Sequence, residues 1–149
     1  GYPLDRIEKG DPYQRHALET VRLLEEELGD ALPERRELCY QSRFGPRTWL
    51  SPSTAGVLLA LPNQGIRRVC VAFPSFAADC LETLHEVGIG LRARFIKAGG
   101  EHLALVPCLN GNALWSRNLA EGLLLPDLAE LMIQGAGVRR AGETRGGEI

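Results

Sequence analysis

Asp79, Glu82 and Glu86 fall in the run SFAADCLETLHEVG, residues 75–88, at spacings of three and four. On a helix those spacings stack side chains on one face. Three carboxylates in one column repel one another unless something positive lies between them. Such a column can hold a divalent cation through oxygen, or share protons among groups of unequal pKa. A purely structural reading also fits. Asp79 followed three residues later by Glu82 matches a capping box, and acids in a first turn suit the helix dipole. Glu86 lies a turn beyond any capping role, so spacing alone leaves both readings open. His85 adjoins Glu86 but points about 100° round a helix, and is expected at the surface.

Other reactive residues offer less. His16 and His102 have no ligand spacing with each other or with a cysteine. Cys80 has no His and acid pair around it and reads as a small helix packer. The GIG at 88–90 lies inside the expected helix and is no phosphate loop. Cys39, Cys70, Cys80 and Cys108 stand far apart with no C-x-x-C, which argues against zinc-ribbon and redox spacings and fits reduced thiols in the cytoplasm.

Positioning such groups requires a core, and 149 residues that are 44% hydrophobic can supply one. The formal charge of −2, with arginines never in runs longer than a pair, argues against a nucleic-acid partner. No stretch approaches the ~20 apolar residues of a membrane span. The nearest, GLLLPDLAELMI, is broken by Pro126, Asp127 and Glu130. A cytoplasmic location is expected, with peripheral membrane contact left open. The first residue is Gly rather than Met, so a start that was cut or processed is expected.

The elements follow in a regular order. Asp11-Pro12 caps a helix in which Leu18, Val21, Leu24 and Leu28 repeat at helical spacing up to Gly29. ELCYQSR (37–43) reads as a strand, and Ser51-Pro52 opens a helix that stops near PNQG. RVCVAF (68–73) and HLALVP (102–107) read as strands buried on both faces. Between them a helix is expected from near Asp79 to Gly99-Gly100, and NALWSRNLAEGLL forms a last amphipathic helix. Alternating helices and strands predict an α/β fold, a Rossmann-like parallel sheet flanked by helices. Three strands make a thin layer, so the sheet is expected to be incomplete without a preceding strand. Residues 1–134 read as the domain and 135–149, rich in Gly and charge, as a flexible tail.

In open parallel sheets ligands bind beyond the carboxyl ends of the strands. The loops there are QSRFGPRTW (41–49), PSFAAD (74–79) and PCLNG (107–111). They bring Gln41, Ser42, Arg43, Trp49, Phe76, Asp79 and Asn110 to one rim, which suits a large flat or apolar ligand. Trp49 reads equally well as core or as a stacking surface.

Four blocks, GYPLDRIEKGDPY, YQSRFGPRTWLSPST, FPSFAADCLETLHEV and VPCLN, resemble in order the C-terminal half of ferrochelatase, which inserts ferrous iron into a porphyrin to make haem. The similarity runs from residue 1 to about 120. It implies a chelatase-like domain that faces a similar N-terminal domain, missing here, across a porphyrin cleft. Glu82 would match the glutamate that works with an invariant histidine at the metal and proton site, with Asp79 and Glu86 beside it. Gln41, Ser42, Trp49 and Phe76 would match residues that line the substrate pocket. Fe²⁺ would be substrate, with no tightly bound cofactor and no iron–sulfur cluster expected from the cysteine spacing.

Two departures stand out. The family's histidine directly precedes the glycine matching Gly1, and Gly90 stands where the acid column commonly gains a further member. The resemblance therefore implies a ferrochelatase part that is inactive alone, acting in the whole protein on protoporphyrin IX or coproporphyrin III. A non-catalytic porphyrin-binding module, or a chelatase for another tetrapyrrole or metal, are the alternatives.

Overall fold

The computed structural model describes residues 1–43 and 45–123. The chain divides into two units, Gly1–Asn110 and Gly111–Ile149. In the first, a short α1 (Leu4–Glu8) leads into α2 (Tyr13–Leu28). Pro12 stands at the N-cap of α2, and Asp11 just before it accepts from the Tyr13 N–H through Oδ1 at 2.9 Å. The Tyr2 ring stacks on Tyr13 with centroids 4.6 Å apart, tying the chain's start to this helix. The expected apolar stripe of α2 forms, yet no residue of that helix is buried, and Leu18, Leu24 and Leu28 remain exposed.

The strand expected over 37–43 shrinks to a single parallel bridge between Tyr40 and Ser53. The cause is local. Tyr40 donates its N–H to the Pro52 carbonyl and accepts from the Thr54 N–H. At Thr54 the partner segment turns into α3 (Thr54–Ala60), so the ladder stops after one rung. That helix opens later than Ser51-Pro52 suggested, because Ser53 is the cap, its Oγ accepting from the Gly56 N–H at 3.2 Å. A 3₁₀ turn, Pro62–Gln64, then ends the segment at PNQG as expected.

The strands β1 (Arg68–Val71) and β2 (His102–Leu105) pair in parallel, Arg68 opposite His102 and Val71 opposite Leu105. A parallel pair needs a long crossover. Here it consists of a π-helix (Glu82–Leu91) that continues into α4 (Arg92–Lys97). The α/β class is therefore as expected.

The core joins Leu58 and Leu61 at the end of α3, Val87 and Leu91 of the π-helix, Phe95 of α4 and Leu103 of β2. Val87 and Phe95 are wholly buried. Removing the Phe95 ring would cost about 3–5 kcal/mol, the usual loss for a buried aromatic. This cluster anchors the crossover to the sheet and so fixes where the acids stand.

Burial on both strand faces does not hold. Along β1, Arg68 and Cys70 are exposed while Val69 and Val71 are half-buried. Along β2, His102 is exposed and Leu103 buried. Side chains alternate across a sheet, and Val69, Val71 and Leu105 face the one cluster just described.

In the second unit, α5 (Ala113–Leu123) begins where Asn112 Oδ1 accepts from the Trp115 N–H at 3.0 Å. The end of the domain assigned to 1–134 and the tail assigned to 135–149 lie outside the described residues. Among the described residues, no helix is long and apolar enough to cross a membrane.

Candidate functional site

The acids do not sit on the α-helix that their spacing suggested. Asp79 precedes the helical segment, Glu82 opens the π-helix, and Glu86 follows one turn later. A π turn closes from residue i to i+5, so residues four apart come round to nearly one face. Glu82 and Glu86 therefore stay neighbours, and Asp79 stands before them in the loop after β1. Gly88 permits this wider turn to lie on the sheet. A Cβ there would come within 3.0 Å of Leu105 Cδ1 and 3.3 Å of the Thr83 carbonyl.

The capping box does not form. The Asp79 N–H, which Glu82 would accept in that motif, donates instead to Asn110 Oδ1 at 2.8 Å. Thr83, fully buried, takes the capping role. Its Oγ1 accepts from the Cys80 N–H at 3.0 Å and donates to Asp79 Oδ1 at 3.1 Å. Asp79 Oδ1 also accepts from the Cys108 N–H at 3.4 Å, and Oδ2 from Asn110 Nδ2 at 2.8 Å. The Asn110 amide, followed by Cys108 and Thr83, holds the Asp79 carboxyl below its usual range.

A second cluster joins the loop after Tyr40 to the π-helix. Gln41 Nε2 donates to the Glu82 carbonyl at 2.7 Å and to Glu86 Oε2 at 3.1 Å. Ser42 Oγ donates to the same Glu86 oxygen at 3.3 Å, from a backbone at φ 59°. The chain's start belongs here too. A Cβ on Gly1 would collide with the Gln41 and Ser42 carbonyl oxygens. Gly1 also lies near the Glu86 carboxylate. Glu82 is half-buried, and a hydrogen bond from the Cys80 side chain holds its carboxyl below the usual range.

Of the expected site residues, the structure thus joins Gln41, Ser42, Glu82 and Glu86, and ties Asp79 to the loop after β2. Trp49 and Phe76 are half-buried in separate loops. Trp49 forms an antiparallel bridge with Pro3, and its buried indole N–H has no partner among the described residues. Phe76 meets Phe73 edge to face at 6.2 Å. Among the described residues, no three His, Cys, Asp or Glu side chains converge closely enough to hold a metal ion. His16, His85 and His102 are exposed.

Sequence reasoning missed Thr83 and Cys108. Thr83 lies four residues after Asp79, a helical-face spacing that marks a partner for a carboxylate. Cys108 lies 29 residues from Asp79, so no local spacing linked them, although both its thiol and its backbone N–H reach that carboxylate.

Glu82 and Glu86 thus stand one turn apart on the helical crossover between β1 and β2, with Gln41 and Ser42 beside them. The family model for ferrochelatase matches residues 1–124. Similar proteins named ferrochelatase come from Methylocella silvestris (51% identical over 76% of this chain and 32% of that protein) and Gluconobacter oxydans (50% over 74% and 32%). Another, from Azoarcus sp., is 48% identical over 77% of this chain and 31% of its own. The chain belongs to the ferrochelatase family. It spans about a third of the length of these relatives.

Proposed function

We propose that this chain serves as the C-terminal part of a ferrochelatase, inserting Fe²⁺ into protoporphyrin IX or coproporphyrin III. The observation that carries the reading is the meeting of Glu82 and Glu86 with Gln41, Ser42 and Gly1 in a chain of this family. Metallation requires that two pyrrole N–H protons leave, that the iron sheds water, and that the macrocycle bends to expose its nitrogen lone pairs. A base with a pKa near neutrality suits the first step, and histidine is such a group. The resemblance puts the family's histidine directly before the glycine matching Gly1, whose neighbours here are Gln41, Ser42 and Glu86.

Glu82 and Glu86 receive the metal and proton work in this reading. Oxygen ligands hold Fe²⁺ loosely enough to release it, whereas thiolates bind it more tightly. Neither carboxylate is locked into an ion pair with a described Lys or Arg. Trp49 and Phe76 offer the apolar faces a porphyrin needs, and the Trp49 N–H, without a partner among the described residues, supports a polar contact with the ligand or a neighbouring segment. The partners are the porphyrin and the N-terminal ferrochelatase domain, with no nucleic acid, in the cytoplasm. Peripheral membrane contact is compatible with it.

Loss of porphyrin fluorescence during anaerobic incubation with Fe²⁺ tests the reading. The full-length protein should turn over and this chain alone should not. No metallation by the full-length protein, at intact fold, would overturn it.

A further inference from the structure

Asn110 stands in the left-handed region, φ 50°, although an L side chain is strained there. Asn adopts that backbone more readily than most side chains, and glycine would adopt it too at an entropic cost, so what distinguishes Asn here is its amide. Its uses are concrete. Asn110 Oδ1 accepts from the Asp79 N–H and Nδ2 donates to Asp79 Oδ2, both at 2.8 Å. Nδ2 also donates to the Cys108 carbonyl at 3.0 Å, and the Asn110 N–H donates to the Ala77 carbonyl at 2.9 Å. The loops after β1 and β2 are thereby locked together through one amide.

The lock continues into the acid-bearing helix. Asp79 Oδ1 accepts from Thr83 Oγ1, which accepts from the Cys80 N–H, and the Cys80 carbonyl accepts from the Leu84 N–H at 2.9 Å. Residues 80, 83 and 84 flank Glu82 on both sides. Both Asp79 oxygens are occupied by this chain of bonds.

We infer that Asn110 is a positioning residue that acts through Asp79 to set the first turn of the π-helix and hence the iron-binding orientation of Glu82. Asp79 works within this latch as a hydrogen-bond acceptor rather than as a carboxylate that touches iron. The inference rests on the iron-inserting reading above.

The test uses the full-length protein and three variants. Asn110→Gly relieves the backbone strain but deletes the amide. Its KM for Fe²⁺ should rise about tenfold while the porphyrin KM stays within about twofold, a split that loss of folded protein cannot produce. The exchanged pair, Asp79→Asn with Asn110→Asp, keeps a reciprocal donor and acceptor. It should return the iron KM to within about threefold of wild type, whereas Asp79→Asn alone should not. Amide hydrogen exchange at Leu84 should quicken about tenfold in Asn110→Gly and recover in the exchanged pair. An unchanged iron KM in Asn110→Gly would overturn the inference. So would an exchanged pair as impaired as Asp79→Asn alone, since that would show the Asp79 carboxylate to be chemically required. A wild-type protein that inserts no iron would defeat the functional reading only; the Leu84 exchange rates would then decide the latch by themselves.

Discussion

Gln41 Nε2 lies 2.7 Å from the Glu82 carbonyl oxygen and 3.1 Å from Glu86 Oε2. One amide thus bridges the backbone of the first acid and the side chain of the second, from a loop about forty residues earlier in the chain. This geometry makes Gln41 a brace for the acid pair as much as a candidate wall of the porphyrin pocket.

Gln41→Met should show the brace directly. It keeps length but deletes the donor, leaving the Glu82 carbonyl short of a partner at a half-buried position. Stability should fall by about 1–3 kcal/mol, the usual penalty for an unsatisfied polar group. Gln41→Glu should do more harm to turnover than Gln41→Met, because it sets a third carboxylate against Glu86. Denaturant unfolding and initial metallation rates would measure the two effects, and equal rates for both variants would refute the charge argument.

Glu82→Gln separates shape from charge. The capping bonds of the first turn go to Thr83 and Asn110, so a neutral amide at 82 should leave the fold intact and relieve repulsion with Glu86. If Glu82 handles metal or protons, metallation should fall by roughly 10²-fold or more, the common scale for an acid–base group. Stability and activity would then move in opposite directions. Near-normal turnover of the full-length Glu82→Gln variant would remove Glu82 from the chemistry.

Much of this was legible in the sequence because apolar periodicity and block order are strong signals. The parallel pairing of RVCV with HLAL and the helical crossover follow from short apolar runs separated by an amphipathic segment. The π-helix was not legible. The spacing of Asp79, Glu82 and Glu86 suits an α-helix, and the wider closure depends on tertiary features: Gly88 lying on Leu105, Thr83 taking the Cys80 N–H, and Gln41 taking the Glu82 carbonyl. The segment 37–43 has strand-like residues, but strand formation needs a continuous partner, and the one at 52–54 turns into α3. Composition could reveal the rim residues Gln41, Ser42 and Asn110, though not which acid each one grips.

Thr83→Val should be the costliest conservative change at the site. Thr83 is fully buried, and its hydroxyl joins the Cys80 N–H to Asp79 Oδ1. Valine has nearly the same shape and cannot make either bond, so the Cys80 N–H loses its partner, at about 1–3 kcal/mol, and Asp79 Oδ1 keeps only the Cys108 N–H. Thr83→Ser keeps the hydroxyl and loses one methyl, for about 1 kcal/mol. Unfolding midpoints should rank wild type above Ser above Val. A valine variant as stable as the serine variant would show that the hydroxyl bonds add nothing.

Cys108 supplies a pH-dependent test of the same cluster. Burial, then its hydrogen bond to Asp79, pushes the Cys108 thiol up to about 11 from 9.0. The neutral thiol is therefore favoured by folding. Its contribution is fully present below pH 9 and is lost as pH rises through about 11. At pH 8 roughly one Cys108 in a thousand is thiolate, so alkylation there should be slow, while exposed Cys70 reacts faster. Asp79→Asn removes the negative acceptor but not the burial. It should lower the Cys108 pKa only part of the way, and alkylation of Cys108 at pH 8 should quicken several-fold without matching Cys70. Peptide-resolved mass spectrometry after timed exposure to iodoacetamide reads each cysteine separately. Equal labelling of Cys108 and Cys70 in the wild-type protein at pH 8 would show that neither burial nor Asp79 protects the thiol. A Cys108 rate unmoved by Asp79→Asn would place the protection in burial alone.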